Sequence, residues 1–208
     1  MKKLMHIIAT PRGESSRTLK VSRPFVELYR AKHPGCQVDT LNLFEEQLPP
    51  LTTKRVEGKY VLLEGKDLSG ELKEAWEEIV KHIERFLSAD IILITTPMWN
   101  FGIPYVLKHY IDIIFQPKYL FQYTEKGVEG LANDKKMVVV SSRGGDYSSE
   151  SMKNMDHIEP YLRQIFGFAG ITDITFINAQ PMDGVGAEVQ RQKMEEARVE
   201  AEKAARRI

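Results

Sequence analysis

Two of the strand-length runs in this 208-residue chain have a centre with no polar residue: residues 91–94 in DIILITT and residues 138–140 in KKMVVVSS. A strand with no polar side must be covered on both faces. That requirement removes most architectures in which one sheet face meets water. Three further short runs have strand length: KLMHIIA (3–9), QVDTLNLF (37–44) and DITFINA (173–179). Longer stretches with helical spacing lie between them. Strands alternating with helices imply an α/β fold, with a five-stranded parallel sheet and helices on both of its faces. At this length one domain over residues 1–208 is expected.

The helical stretches differ in clarity. Residues 17–32 place Leu19, Val21, Phe25, Val26, Leu28 and Tyr29 at helical spacing, but Pro24 lies inside, so the helix is expected to start late or kink. Residues 69–87 carry Leu72, Trp76, Ile79, Val80 and Ile83 on one face, with Ser69 as the expected cap. Residues 104–115 read as a helix with Pro104 in its first turn. A further helix runs through Tyr161, Leu162, Ile165 and Phe166 and is expected to end at Gly167 or Gly170. A charge-rich helix closes the chain over residues 187–206. Residues 118–131 read as a hairpin insertion with EKG at its turn. The polar stretch 49–69 offers at most a short helix around Val61, and 146–155 has no readable pattern.

Composition removes several function classes. Lys+Arg 29 balance Asp+Glu 29, which gives no nucleic-acid footprint. The single cysteine, Cys36, excludes an internal disulfide and a multi-cysteine metal site. A reducing cytoplasm is the expected location. The opening MKKLMHIIAT has a short apolar run interrupted by His6, with no small-residue cleavage pattern, and no other run is long enough for a bilayer. The five histidines are scattered and are read as structural or solvated, with no metal role.

In parallel sheets ligands bind outside the carboxyl ends of the strands. The loops after the apolar runs therefore matter most. TPRGESSRT follows the first run and offers Thr10, Ser15, Ser16 and Thr18, with Arg12 or Arg17 for charge. Hydroxyls and free N–H groups at a helix start form an anion pocket; ordinary serine capping is the competing reading. Neither GxGxxG nor GxxxxGK[ST] occurs. TTPMWNFGIP follows the third run. Met98, Trp99 and Phe101 offer flat or polarisable surface, Asn100 offers donor and acceptor, and Gly102 permits a turn. Such a shelf suits a planar heterocycle; aromatic residues serving only the core are the alternative. SSRGGDY follows the fourth run, where paired glycines let backbone N–H groups approach a ligand, and Arg143 either forms a salt bridge or stabilises negative charge. Three loops on one sheet edge point to one ligand with a phosphate end and a flat ring system.

These residues also carry a likeness. TPRGESSRT, PMWNFGIP followed by LKHYID, FQYTEKG, SSRGG and GFAGITD resemble the FMN-dependent NAD(P)H azoreductase/quinone reductase family of flavodoxin-like fold, in order over nearly the whole chain. The resemblance implies that Thr10, Ser16, Arg17 and Thr18 hold the FMN phosphate and ribityl end. It implies that Met98, Trp99, Asn100 and Phe101 contact the isoalloxazine, and that Ser142, Arg143, Gly144 and Gly145 border its pyrimidine end. Tyr123 of the hairpin, and Phe168 from a second subunit, would wall the substrate pocket of a homodimer. Trp99 stands where tyrosine is usual in the family.

The implied activity is hydride transfer from NADH or NADPH through FMN to quinones and aromatic azo compounds, in a ping-pong cycle. The cofactor supplies the chemistry, so no catalytic triad is needed. N–H groups of Gly144 and Gly145 would stabilise charge at the pyrimidine side. Two other classes compete. A flavodoxin-type electron carrier would dock through a strongly acidic face, which the neutral charge balance disfavours. An FMN-bound sensor or interaction protein with little turnover is the third.

Overall fold

The computed structural model describes residues 2–208. The main sheet has five strands, β1 (Lys3–Ile8), β2 (Gln37–Asn42), β3 (Ile91–Pro97), β6 (Lys136–Ser142) and β7 (Asp173–Ala179), in the order β2-β1-β3-β6-β7. Every pairing in it is parallel. The expected five-stranded flavodoxin-like sheet is what forms.

Side-chain alternation along each strand divides the core into two layers. Ile92 and Ile94 of β3 point to one face with Met5, Ile7, Met137 and Val139. That face is covered by α3 (Gly70–Leu87), α4 (Tyr105–Ile114) and α6 (Glu159–Phe168) through Trp76, Ile83, Leu107, Tyr110, Leu162 and Phe166. Ile91 and Leu93 point the other way with Leu4, Val138 and Val140. α1 (Arg17–Lys32) and α7 (Ala187–Arg207) cover this second face. α1 contributes Val21, Phe25 and Tyr29; α7 contributes Ala197, Ala201, Ala204 and Ala205. Alanine at every buried position lets α7 lie close against the layer, so the charge-rich helix buries a narrow stripe and keeps a solvated face.

Several details differ from expectation. α1 begins at Arg17 and continues through Pro24, so it does not start late. Ser69 occupies the cap position of α3, but its side chain accepts no capping hydrogen bond. Pro104 precedes α4 as its cap residue. α6 passes Gly167 and ends before Gly170, whose φ of +92° places it in the left-handed region. The stretch that resisted reading holds α2 (Thr53–Leu63), and a single turn, α5 (Glu150–Lys153), follows the paired glycines.

The hairpin is β4 (Phe121–Thr124) and β5 (Gly127–Gly130), antiparallel, with Glu125 and Lys126 at the turn. Its position decides what it can do. α4 leaves the carboxyl edge of the sheet after β3 and returns the chain to the amino edge, where the hairpin is inserted before β6. There the Ala132 N–H donates to the Ala169 carbonyl, and Lys135 Nζ donates to the Leu87 and Ala89 carbonyls just ahead of β3.

Candidate functional site

At the opposite, carboxyl edge, loops from four strands enclose a cleft of about 190 Å³. Thr10, Arg12, Ser16, Arg17, Thr18, Met98, Trp99, Ser142, Arg143 and Gly144 line it together with Pro97, Met182 and Asp183.

The first loop ends in a 3-10 turn, Gly13–Ser15, and Ser16 then caps α1 by accepting from the Leu19 N–H at 3.3 Å. The capping reading is therefore correct, and it does not compete with anion binding. The N–H groups of Arg17 and Thr18 donate to no atom of the described residues. They sit at the positive end of a 16-residue helix. Thr10, Ser16 and Thr18 are all buried, and Thr18 Oγ1 shares a 2.7 Å hydrogen bond with Ser142 Oγ, tying the first loop to the third. The donor set matches a phosphate monoester.

The second loop is a tight reversal. Trp99 and Gly102 exchange backbone hydrogen bonds of 2.9 and 3.0 Å across Asn100 and Phe101. Those two residues, not Gly102, take the left-handed conformation, at φ +48° and +70°. Two positive φ values define a type I′ turn, which normally selects Asn followed by Gly. Phenylalanine in the second place is strained by roughly 1–2 kcal/mol. The strain presents large rings: Trp99 is 37% exposed and Phe101 42%, with Phe44 edge-on to Trp99 and Tyr147 edge-on to Phe101. Neither ring is a core residue. Asn100 and Phe101 stand on the rim beside the cleft lining rather than within it.

In the third loop Arg143 is a buried ion-pair residue. Its Nη1 donates to Asp156 Oδ2 at 2.7 Å and its Nε to Ser141 Oγ at 2.9 Å. Asp156 Oδ1 in turn accepts from the Ile158 and Glu159 N–H groups at the start of α6. Arg143 Nη2 is buried with no partner among the described residues. The N–H groups of Gly144 and Gly145 also donate to none. A Cβ on Gly144 would lie 2.9 Å from Asp183 Oδ2 and would displace that exposed carboxylate; Gly145 faces Tyr147 and Met152 just outside the lining.

A fourth loop, after β7, escaped the sequence reading. Met182 N–H donates to the carbonyls of Arg143 and Gly144, and Asp183 N–H to that of Gly144, which brings both residues to the cleft. Asp183 Oδ1 accepts from Arg17 Nη1 at 2.8 Å. The signal was present in QPMDG directly after an apolar run.

Tyr123 and Phe168 are not at this edge. Tyr123, 64% exposed, meets Phe121 edge-on, and Phe168 packs on Phe121 and Phe115 at 5.1 and 5.9 Å. Both belong to the aromatic cluster at the amino edge, so Tyr123 does not wall its own chain's cleft.

The five-stranded parallel sheet in this strand order, with unpaired N–H groups at a helix start and an aromatic rim at its carboxyl edge, is the flavodoxin-like arrangement. A family described by the flavodoxin-like fold matches residues 2–205. An FMN-dependent NADH:quinone oxidoreductase of Nitratidesulfovibrio vulgaris (strain Hildenborough) is 37% identical over 198 residues, 95% of each chain. FMN-dependent NADH:quinone oxidoreductase 2 of Clostridium acetobutylicum is 38% identical over 206 residues, 97% of this chain and 98% of that one. The crystal structure of an FMN-dependent NADH-azoreductase from Bacillus anthracis in complex with FMN superposes with a TM-score of 0.88 at 28% identity, over 99% of both chains. The chain belongs to this flavodoxin-like family of oxidoreductases.

Proposed function

We infer that this chain is an FMN-dependent oxidoreductase that takes hydride from NADH and passes it to planar acceptors, quinones and aromatic azo compounds. The observation that carries the reading is the donor set at the carboxyl edge: two free N–H groups and the buried Ser16 and Thr18 hydroxyls at a helix start, with buried Thr10 in the loop before it, beside a strained turn that holds aromatic rings outward. These residues fit FMN. Thr10, Ser16, Thr18 and Arg17 would hold its phosphate and ribityl end. Met98, Trp99, Asn100 and Phe101 would meet its ring, and Ser142, Arg143, Gly144 and Gly145 its pyrimidine side. The unpartnered N–H groups of Gly144 and Gly145, with the buried Arg143 guanidinium behind them, suit a ring edge that gains negative charge. When bound, FMN supplies the hydride chemistry; the protein binds, orients and shields it.

A homodimer completes the site in this reading. A second copy would bring the partner's Tyr123 and the partner's Phe168 over the aromatic rim, since neither reaches the cleft of its own chain. Each chain offers a surface for such pairing. A groove of about 380 Å³ between α2 and the α4–α6 face is lined by Leu51, Val56, Tyr60, Leu63, Ile111 and Ile165. No helix among the described residues is long and apolar enough to cross a membrane, and a cytoplasmic setting suits a protein that uses NADH.

Initial rates with NADH and a quinone, each varied against the other, test the cycle. A single site that nicotinamide leaves before the acceptor enters gives parallel double-reciprocal lines. Intersecting lines would require both substrates to be bound together and would refute the ping-pong assignment. Repeating the series with NADPH and with an azo dye fixes donor preference and acceptor range.

A further inference from the structure

The cleft contains a charge of the wrong sign for its ligand. Asp183 stands on its lining, and its carboxylate engages Arg17, which lines the cleft between Ser16 and Thr18 in the chain. We propose that Asp183 sets how tightly and how reversibly the cleft holds a phosphate monoester, by competing with it for the Arg17 guanidinium. The proposal rests on the FMN reading above and assigns a residue whose part in it no sequence motif marks.

The placement of Asp183 is specified by two loops. Its N–H is fixed to the Gly144 carbonyl at 3.0 Å, and the neighbouring Met182 N–H to Arg143 and Gly144 at 3.0 and 2.9 Å. Gly144, lacking a Cβ, leaves the carboxylate in this position room that a side chain would crowd to 2.9 Å. The Asp183 side chain makes no hydrogen bond other than that to Arg17 among the described residues. It therefore does little for the fold beyond this pair. The pair itself is easily opened, because Arg17 and Asp183 are 34% and 69% exposed and such surface bridges are weak. Arg12 lines the same cleft with no carboxylate partner among the described residues and is the cation available at once. A phosphate that Arg17 is to hold as well must draw it away from Asp183 and settle near a like charge. Both effects weaken retention, and both act on the phosphate end alone. Removing the carboxylate should tighten FMN binding about threefold to tenfold.

The test is a fluorescence titration of flavin-free protein with FMN and with riboflavin, which lacks the phosphate. Wild type, Asp183→Asn, Arg17→Gln and the double variant are compared at low and high salt. The expected result is FMN affinity raised about threefold to tenfold in Asp183→Asn, slower FMN release, a smaller gain at high salt, and riboflavin affinity unchanged. In the Arg17→Gln background the gain should fall to about twofold or less, since the contested cation is gone. Unchanged or weaker FMN binding in Asp183→Asn overturns the proposal while leaving the FMN reading intact. So does an equal shift for riboflavin, which would mark a structural effect. A wild-type protein that takes up no FMN overturns both.

Discussion

Ser16 does two things with one hydroxyl-bearing residue: it caps α1 and it lines the anion cleft. Ser16→Ala should cost about 1 kcal/mol of stability through the lost cap. It should also lower FMN affinity about tenfold, the scale of one hydrogen bond to a charged group. Thermal melts and flavin titration separate the two effects. Phe101 makes the opposite bargain, holding a strained backbone to present a ring. Phe101→Gly should leave stability within about 1 kcal/mol of wild type, because relieved strain offsets the flexible glycine, while FMN affinity falls. A large loss of stability would show that Phe101 is a packing residue after all. His6 provides a pH signature away from the site. Burial, aided by Arg30, pulls its imidazole down to about 4, and the ring shares a 2.8 Å hydrogen bond with Thr95 Oγ1. Between pH of about 6.5 and about 4 the unfolded chain binds a proton that the folded chain refuses. Stability conferred by the neutral ring is complete above that window and falls as pH drops through it, by roughly 3 kcal/mol in all. Urea melts across this range should show the fall, and His6→Asn should flatten it.

Helices and strands were legible where burial imposes a period and obscure where it does not. α3 announced itself because Trp76, Ile79 and Ile83 recur at helical spacing and are all buried. α2 did not, because Val56, Tyr60 and Leu63 face outward and its buried contacts use Gly58 and Leu62. Gly58 is the key to that packing: a Cβ there would lie 2.2 Å from Nε1 of Trp76, the indole that donates to the Arg55 carbonyl. Gly58→Ala should therefore destabilise by about 1–3 kcal/mol through overpacking, even though alanine is the better helix former by about 1 kcal/mol. A stabilised variant in denaturant melts would mean that α2 is loosely docked. The three loops after β1, β3 and β6 could be read from sequence because apolar runs end abruptly in hydroxyls, aromatics and paired glycines. The fourth was passed over, although the same rule covers every strand of a parallel sheet. The left-handed positions of the aromatic turn fell on Asn100 and Phe101 because the turn begins one residue earlier than Gly102 invited.

At the scale of the whole molecule, the sheet edge to which an insertion belongs cannot be read from local pattern. The hairpin's sequence gives its strands and turn, but only the return path of α4 places it at the amino edge, away from the cleft of its own chain. That geography is what the proposed pairing of two copies would answer. Tyr60→Glu in the α2–α4 groove should shift the sedimentation of the protein from dimer toward monomer and weaken turnover with quinone, leaving FMN uptake largely intact. The central claim, that four loops at one edge grip FMN by its phosphate and its ring, is tested most directly by supplying excess FMN to the purified protein, removing what is free, and titrating the yellow product with NADH under anaerobic conditions. About one FMN per chain should remain bound, and its colour should bleach on addition of about one equivalent of NADH. A protein that stays colourless, or whose bound flavin keeps its colour in excess NADH and NADPH alike, would contradict the account.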